Sequence, residues 1–482
     1  MAVLKRQLHL WHRWVGIVLG LLVLLWFGSG IVMMYVPYPS LTEAERQRWL
    51  APIDAAAVRV GAWEAWQATG QPGLPAGVRL NSVGGRPAYH FQPAVAGGTH
   101  GLVSVWADTG AVLEVSDDLA IASARAASAT AAPVDAVDRI DLDQWTFGRV
   151  SVHRPLHRVS FADEEGSVHY VSGRTGEMVR DTTRSERAWN WAGSVIHWLY
   201  FTPLREQTEP WRQAVMWTSG VAFTLALTGM VLGIQRLRLR RRYKNGRCSP
   251  YRGWQAWHHW LGLIAGTLTL TWLFSGWLSV APFGWLKSPG ITLQDRLAFA
   301  GGPLSNGDLA LPVDAALRAN PGVLELEWRR VGGKTYLATL ERSGRRLLEA
   351  HFGAAVTLTA AQLRQAAQAL RPESPLLSQD MLTAEDSYYY SHHNERTFPV
   401  LRLRFGAPDG ATFYIDPLRG QLAAYADDTS QWRRWLFNGL HQFDFIRARP
   451  AWDTLVVALS LCGGLLAGTG ILLGWRRLRR RV

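Results

Sequence analysis

The sequence predicts a membrane protein of α-helical class, a four-span bundle carrying extracytoplasmic α+β regions and built by internal two-fold duplication. Three observations predict it. Four apolar runs, near residues 14–35, 215–234, 260–280 and 455–474, each approach the ~20 residues that cross a ~30 Å hydrocarbon core. Arginines cluster at one end of each run and tryptophans edge them, as at membrane interfaces. Finally, LWHRWVGIVLGLLVLLWFGSG at residues 10–30 returns as AWHHWLGLIAGTLTLTWLFSG at residues 256–276.

At one fixed offset that repeat puts Trp11 on Trp257, His12 on His258, Trp14 on Trp260, Gly16 on Gly262, Gly20 on Gly266, Trp26 on Trp272, Ser29 on Ser275 and Gly30 on Gly276. Agreement at so many rare residues without a gap is duplication. A second block follows the same rule: Pro155, Arg158, Phe161, Gly166, Tyr170 and Gly176 fall on Pro399, Arg402, Phe405, Gly410, Tyr414 and Gly420, and the same shift puts Trp191 on Trp435 and His197 on His441. Each unit therefore reads as span, extracytoplasmic α+β region, surface helix bearing a His, span. Two such halves in the same orientation imply a pseudo-two-fold axis along the membrane normal.

Charge sets the orientation. Lys5, Arg6 and Arg13 precede the first span, eight Lys or Arg lie within residues 235–259, and five Arg lie within 475–482, with no acid in any of these segments. Together they exceed the whole net charge of +13. Both termini and the middle loop are thus expected in the cytoplasm, and the two long loops across the membrane. Because the basic residues sit at span ends, topology explains them and no nucleic-acid partner is expected. Cys248 and Cys462 lie in the middle loop and in the fourth span, which leaves no basis for a disulfide. The first run is longer than a signal-peptide core and reads as an uncleaved anchor.

In chain order the expected regions are a first span with a cytoplasmic N-terminus (1–36), an α+β region (37–187), a surface helix and second span (188–235), a basic loop (236–257), a third span (258–281), a second α+β region (282–430), a surface helix and fourth span (431–475) and a basic tail (476–482). Residues 41–70 read as helix at the membrane surface. Residues 78–115 alternate in short runs around glycine turns, as a small antiparallel sheet does, 117–136 are helix or linker, and 156–179 are strands.

Duplication sorts the 14 histidines. His12 and His258 sit at the cytoplasmic mouths of spans one and three, and His197 and His441 just before spans two and four. A two-fold axis would set each against its mate, which suits one metal or porphyrin iron held by two imidazoles on facing helices. The alternative role is interfacial anchoring, but an anchor exchanges freely with Tyr, Lys or Arg and a ligand does not. Structural zinc prefers four ligands with thiolates among them, which are absent, and no CxxCH motif exists for covalent attachment. Two haems b are therefore expected, one near each face. His9, His259 and Arg13 are secondary candidates beside the first pair, as ligands or propionate partners. Tyr390, His392 and His393, in the run YYYSHH, have no His counterpart in the first half and form a candidate acceptor site; packed tyrosines at a strand edge are the other reading. His90, His100, His169 and His351 read as scattered surface or strand positions.

The helix starts WHRWVG and WHHWLG, RTGEMVRDTTRSERAWNWAGSVIHWLYFTPLR at 174–205, YYYSHHNERTFPVLRLRF at 388–405 and RRWLFNGLHQFDF at 433–445 together resemble the PepSY-associated transmembrane protein family, nearly end to end. That resemblance implies extracytoplasmic domains of PepSY type and, through members that include a di-haem ferrioxamine siderophore reductase, an inner-membrane oxidoreductase passing electrons from the cytoplasmic side to a periplasmic ferric siderophore. No dinucleotide fingerprint is present, so the electron donor would be a quinol or a cytoplasmic reductase. The other functional class is a non-redox envelope-binding or regulatory membrane protein.

Overall fold

The computed structural model describes residues 2–94, 101–128, 130–244, 246–351, 353–391, 395–408 and 410–479. The chain divides into two compact units: residues 1–38, 185–287 and 429–482 form one, and 39–184 with 288–428 the other.

The first unit is helical and apolar. Three unbroken helices, Ala2–Tyr35, Thr208–Arg236 and Arg449–Arg479, are long and apolar enough to cross a membrane. The third expected span is instead two helices, Trp254–Ile264 and Gly266–Ser279, meeting at a bend of 60°. The break falls where Gly266 admits Met230, whose Cε lies 2.9 Å from where a Cβ would stand, and where the Thr269 hydroxyl bonds back to the Ala265 carbonyl at 3.0 Å. Small residues and back-bonding hydroxyls are ordinary causes of helix bending. The first and last helices lie close together because Gly463 leaves room for the Phe27 ring and Gly474 for Ile17.

Two segments of this unit are wound as π-helix, Trp191–Val195 and Arg434–Gln442. Such widened turns are rare in helices and concentrate at functional positions. One runs directly into the short helix Ile196–Trp198 that carries His197, and the other contains His441.

The second unit is α+β. Its strands are β1 (Pro75–Val83), β2 (Arg86–Pro93), β3 (Val103–Trp106), β4 (Val134–Ile140), β5 (Leu156–Phe161), β6 (Val168–Ser172), β7 (Met178–Thr182), β8 (Val323–Val331), β9 (Lys334–Glu341), β10 (Gly344–Glu349), β11 (Ala355–Val356), β12 (Leu376–Leu382), β13 (Val400–Phe405), β14 (Thr412–Asp416) and β15 (Gln421–Ala426). Strands β4 to β7 and β12 to β15 make two four-stranded antiparallel sheets. The remaining strands make a single seven-stranded sheet in the order β11-β10-β9-β8-β1-β2-β3. The two α+β stretches thus share a sheet, joined where β1 pairs antiparallel with β8 through Arg79 and Glu327, Leu80 and Leu326, and Asn81 and Glu325.

Residues 41–70 are not a continuous surface helix. They form Glu43–Trp49, a 3₁₀ turn at Ala55–Ala57 and Ala62–Ala68, and Ala62, Ala65 and Trp66 of the last are buried against the seven-stranded sheet. The apolar spacing that reads as membrane-facing is core-facing. Residues 117–126 are helix and the following segment leads into β4.

One face of the large sheet carries a buried ion network. Glu177, in the turn between β6 and β7, accepts from Arg79 Nη1 at 2.7 Å, Arg79 Nη2 at 2.5 Å, Asn81 Nδ2 at 2.6 Å and Arg46 Nη2 at 3.1 Å. Glu325 on β8 accepts from Arg79 at 2.6 Å and from both terminal nitrogens of Arg46. Burial alone would raise these carboxyls, but the two guanidiniums override it, holding Glu177 well below the usual range and Glu325 down to about 2. His90 is a strand position, on β2, and not a surface one: it is buried, donates Nε2–H to Asn81 Oδ1 at 2.9 Å and accepts from Ser104 at 2.7 Å. Burial pushes it down to about 3 against the pull of Glu177, so it is neutral at pH 7.

Candidate functional site

The Ala2–Tyr35 helix carries His12 and the Trp254–Ile264 helix carries His258. Their ring centres lie 6.2 Å apart. The centres of His197 and His441 also lie 6.2 Å apart. An imidazole nitrogen lies about 1.1 Å from its ring centre and a metal–N bond is about 2.0 Å, so two imidazoles on opposite sides of one ion have centres about 6.2 Å apart. Both pairs have that spacing.

The hydrogen bonds fix which nitrogen is bare. His12 Nδ1 donates to the Leu225 carbonyl at 3.1 Å. His258 Nδ1 donates to Thr469 Oγ1 at 3.0 Å, whose own proton goes to the Leu466 carbonyl at 2.8 Å. His197 Nδ1 lies 3.1 Å from both the Trp26 carbonyl and Ser29 Oγ, and His441 Nδ1 lies 3.1 Å from Ser275 Oγ, which donates to the Trp272 carbonyl at 3.0 Å. Each Nδ1 therefore carries the proton, and Nε2 keeps its lone pair. A ring held through Nδ1 with Nε2 free is the arrangement that metal-ligating histidines adopt.

Each ring also rests on a glycine. A Cβ at Gly229 would stand 2.5 Å from His12 Cε1, at Gly470 3.3 Å from His258 Cε1, at Gly30 3.4 Å from His197 Cε1 and at Gly276 3.3 Å from His441 Cε1. Gly229 is the tightest. We expect Gly229→Ala to swing the His12 ring off its Leu225 anchor and Gly470→Ala to leave His258 on Thr469; the imidazole nitrogen resonances of the purified protein measure this, with the His12 signals shifted only in Gly229→Ala.

Around His12 and His258 lies a cavity of about 810 Å³, within the range of cofactor pockets. Gly16, Gly20, Gly262 and Gly266 line its apolar walls, and Arg13, Arg252, Arg476 and Arg477 give it a cationic side. Among the described residues no group of three or more His, Cys, Asp or Glu is placed to hold a metal ion. Each pair is a two-nitrogen site, which a porphyrin with four nitrogens of its own would complete.

The secondary candidates fall around this cavity. His9 spends Nδ1 on the Lys5 carbonyl of its own helix at 2.7 Å. His259 is buried, gives Nε2 to the Gly233 carbonyl at 2.9 Å and keeps a buried Nδ1 with no partner among the described residues. Arg13 lies over the Trp14 ring and has a buried Nε with no partner among the described residues. In the other unit, Tyr389 is buried, stacks on Tyr414 at 5.0 Å and donates to the Thr397 carbonyl at 3.1 Å. Tyr390 is half-buried and its carbonyl accepts from Arg396, while His392 and His393 lie outside the described residues.

The family described as PepSY-associated TM region matches residues 9–477. The chain belongs to that family. Comparison with curated proteins finds no match. The match makes this PepSY-associated protein a membrane protein, in agreement with its apolar helices, and it includes all four paired histidines. Sequence reading of the family member missed the four Nδ1 anchors. Ser29, Ser275 and the Thr-Gly pairs at 228–229 and 469–470 do recur between the halves, but a small residue beside a ring has no signature until the ring is placed.

Proposed function

We propose that this PepSY-associated membrane protein is a b-type di-haem electron carrier of the bacterial inner membrane that reduces a periplasmic acceptor, a ferric siderophore by class. Its spans number four, counting the bent pair as one, and arise by duplication of a two-span unit, with both termini cytoplasmic. His12 and His258 would hold one haem and His197 and His441 the other. The observation that carries the reading is the 6.2 Å ring spacing in both pairs with every Nδ1 engaged elsewhere.

A haem bound there supplies one-electron chemistry, for which no general acid or base is needed. His12, His258, His197 and His441 would hold the iron between apolar helices, and Arg13, Arg252, Arg476 and Arg477 would neutralise propionates at the first site. Two sites near opposite faces divide a ~30 Å barrier that one could not span. Reduction suits iron release because hard oxygen donors hold Fe(II) far more weakly than Fe(III). The electron donor is a quinol or a cytoplasmic reductase.

The test is an absorption spectrum of the purified protein after haem-replete expression and dithionite reduction. We expect the sharp α and β bands of low-spin haem at two haems per chain, and reoxidation on adding a ferric siderophore. A colourless preparation overturns the reading and leaves the histidines as anchors of a non-redox envelope protein.

A further inference from the structure

The α+β unit holds a polar cavity of about 240 Å³ lined by Arg296, Arg329, Arg345 and Arg419, with Glu327 and Gln421. Arg329 pairs with Glu327 at 2.6 Å, Arg345 with Glu43, and Arg419 with Asp416 at 3.4 Å. The Nε groups of Arg329 and Arg345 are nonetheless buried with no partner among the described residues, and Arg296, exposed at the rim, has no ion pair there. Buried guanidinium N–H groups without acceptors are costly.

The same unit shows what such a place is built to hold. Thr42 caps the Glu43–Trp49 helix through a capping box with Glu45, and Thr292 caps the Leu293–Ala300 helix through one with Asp295, so Arg46 and Arg296 hold the same position after the cap. Hairpin β1–β2 turns at Gly84 and Gly85, and β8–β9 at Gly332 and Gly333, all with positive φ; counted back from those turns, Asn81 corresponds to Arg329 and Arg79 to Glu327, which pairs with Arg329. Gly176 abuts Val83 as Gly420 abuts Val331, with a Cβ 2.9 and 3.0 Å from the valine methyl. The residue after Gly176 is Glu177, whose carboxylate fills the first site. The residue after Gly420 is Gln421, a neutral amide.

We propose that this cavity binds a small free carboxylate ligand of di- or tricarboxylate size, whose carboxylate takes beside Arg296 and Arg329, with Arg345 next to them, the place that Glu177 takes beside Arg46 and Asn81. Guanidinium forks match carboxylates in a bidentate fashion, and the volume admits a handful of heavy atoms beyond one carboxylate.

Citrate and succinate are titrated calorimetrically into the full chain in detergent, with inorganic phosphate as competitor. One carboxylate per chain is expected. Gln421→Glu installs the internal carboxylate of the first site and should weaken citrate at least about tenfold while the protein stays folded. Arg296→Gln, at an exposed position, is the second variant and should weaken it about threefold or more. The assignment is overturned by the absence of saturable binding, by phosphate competing as well as succinate, or by unchanged affinity in both variants.

Discussion

On the proposed di-haem assignment, the His12→Ala protein is expected to carry one haem per chain in place of the two expected of the unaltered protein, with the remaining haem still low-spin. His258 faces His12 at 6.2 Å and has its Nδ1 committed to Thr469, so removing His12 leaves a single imidazole in a cavity of about 810 Å³. One axial nitrogen retains haem far less well than two. The other pair is held by Trp26, Ser29 and Ser275, none of which touches the first. His9→Ala and His259→Ala should keep both haems, because His12 and His258 face each other while the His259 ring meets Tyr251 and Trp260 and gives its Nε2 to the Gly233 carbonyl, and His9 faces no second imidazole among the described residues. Extracted haem per chain decides this. Loss of a haem in His259→Ala with retention in His12→Ala would reassign the ligand.

Glu177→Gln should destabilise the α+β unit by about 3–5 kcal/mol, the usual result of removing one partner from a buried ion cluster. The amide fills the same space but cannot answer Arg79, which would then share only Glu325 with Arg46. Urea unfolding followed by limited proteolysis of residues 39–184 reads the effect. An exposed pair such as Arg86 and Asp108 is the control, since Asp108→Asn should cost within about 1 kcal/mol. The same cluster predicts acid sensitivity. His90 has a folded value below its unfolded one, so the unfolded state takes up its proton first and stability falls as pH drops below about 6.5. Glu177 and Glu325 are also depressed; their contribution is full above the ordinary Glu range, about 4.3, and is lost as pH falls below it. Midpoints that stay level between pH 7 and 4 would contradict this.

The helical elements were legible because hydropathy and arginine placement are local properties of the chain. The histidine pairs stood out because the repeat made them partners before any distance was known. The Nδ1 acceptors were not legible: the Leu225 and Trp26 carbonyls belong to the backbone, and no letter marks them. The 60° bend was hidden because Gly266 and Thr269 are also ordinary residues of a straight span. Residues 41–70 misread because an apolar stripe does not say whether it faces lipid or a sheet. His90 looked incidental because its partners, Asn81 and Ser104, come from neighbouring strands.

The junction of β1 with β8 has a consequence for synthesis. Its bridging residues Arg79 and Glu325 are 246 positions apart. During translation the first α+β stretch therefore emerges with β1 as an open edge, and it stays open until the Thr208–Arg236 helix and the bent Trp254–Ile264 and Gly266–Ser279 pair have been made. Uncapped edges recruit stray strands. A nascent chain stopped before residue 323 should be sensitive to proteases and prone to self-association, and supplying the missing half as a separate polypeptide should cure it.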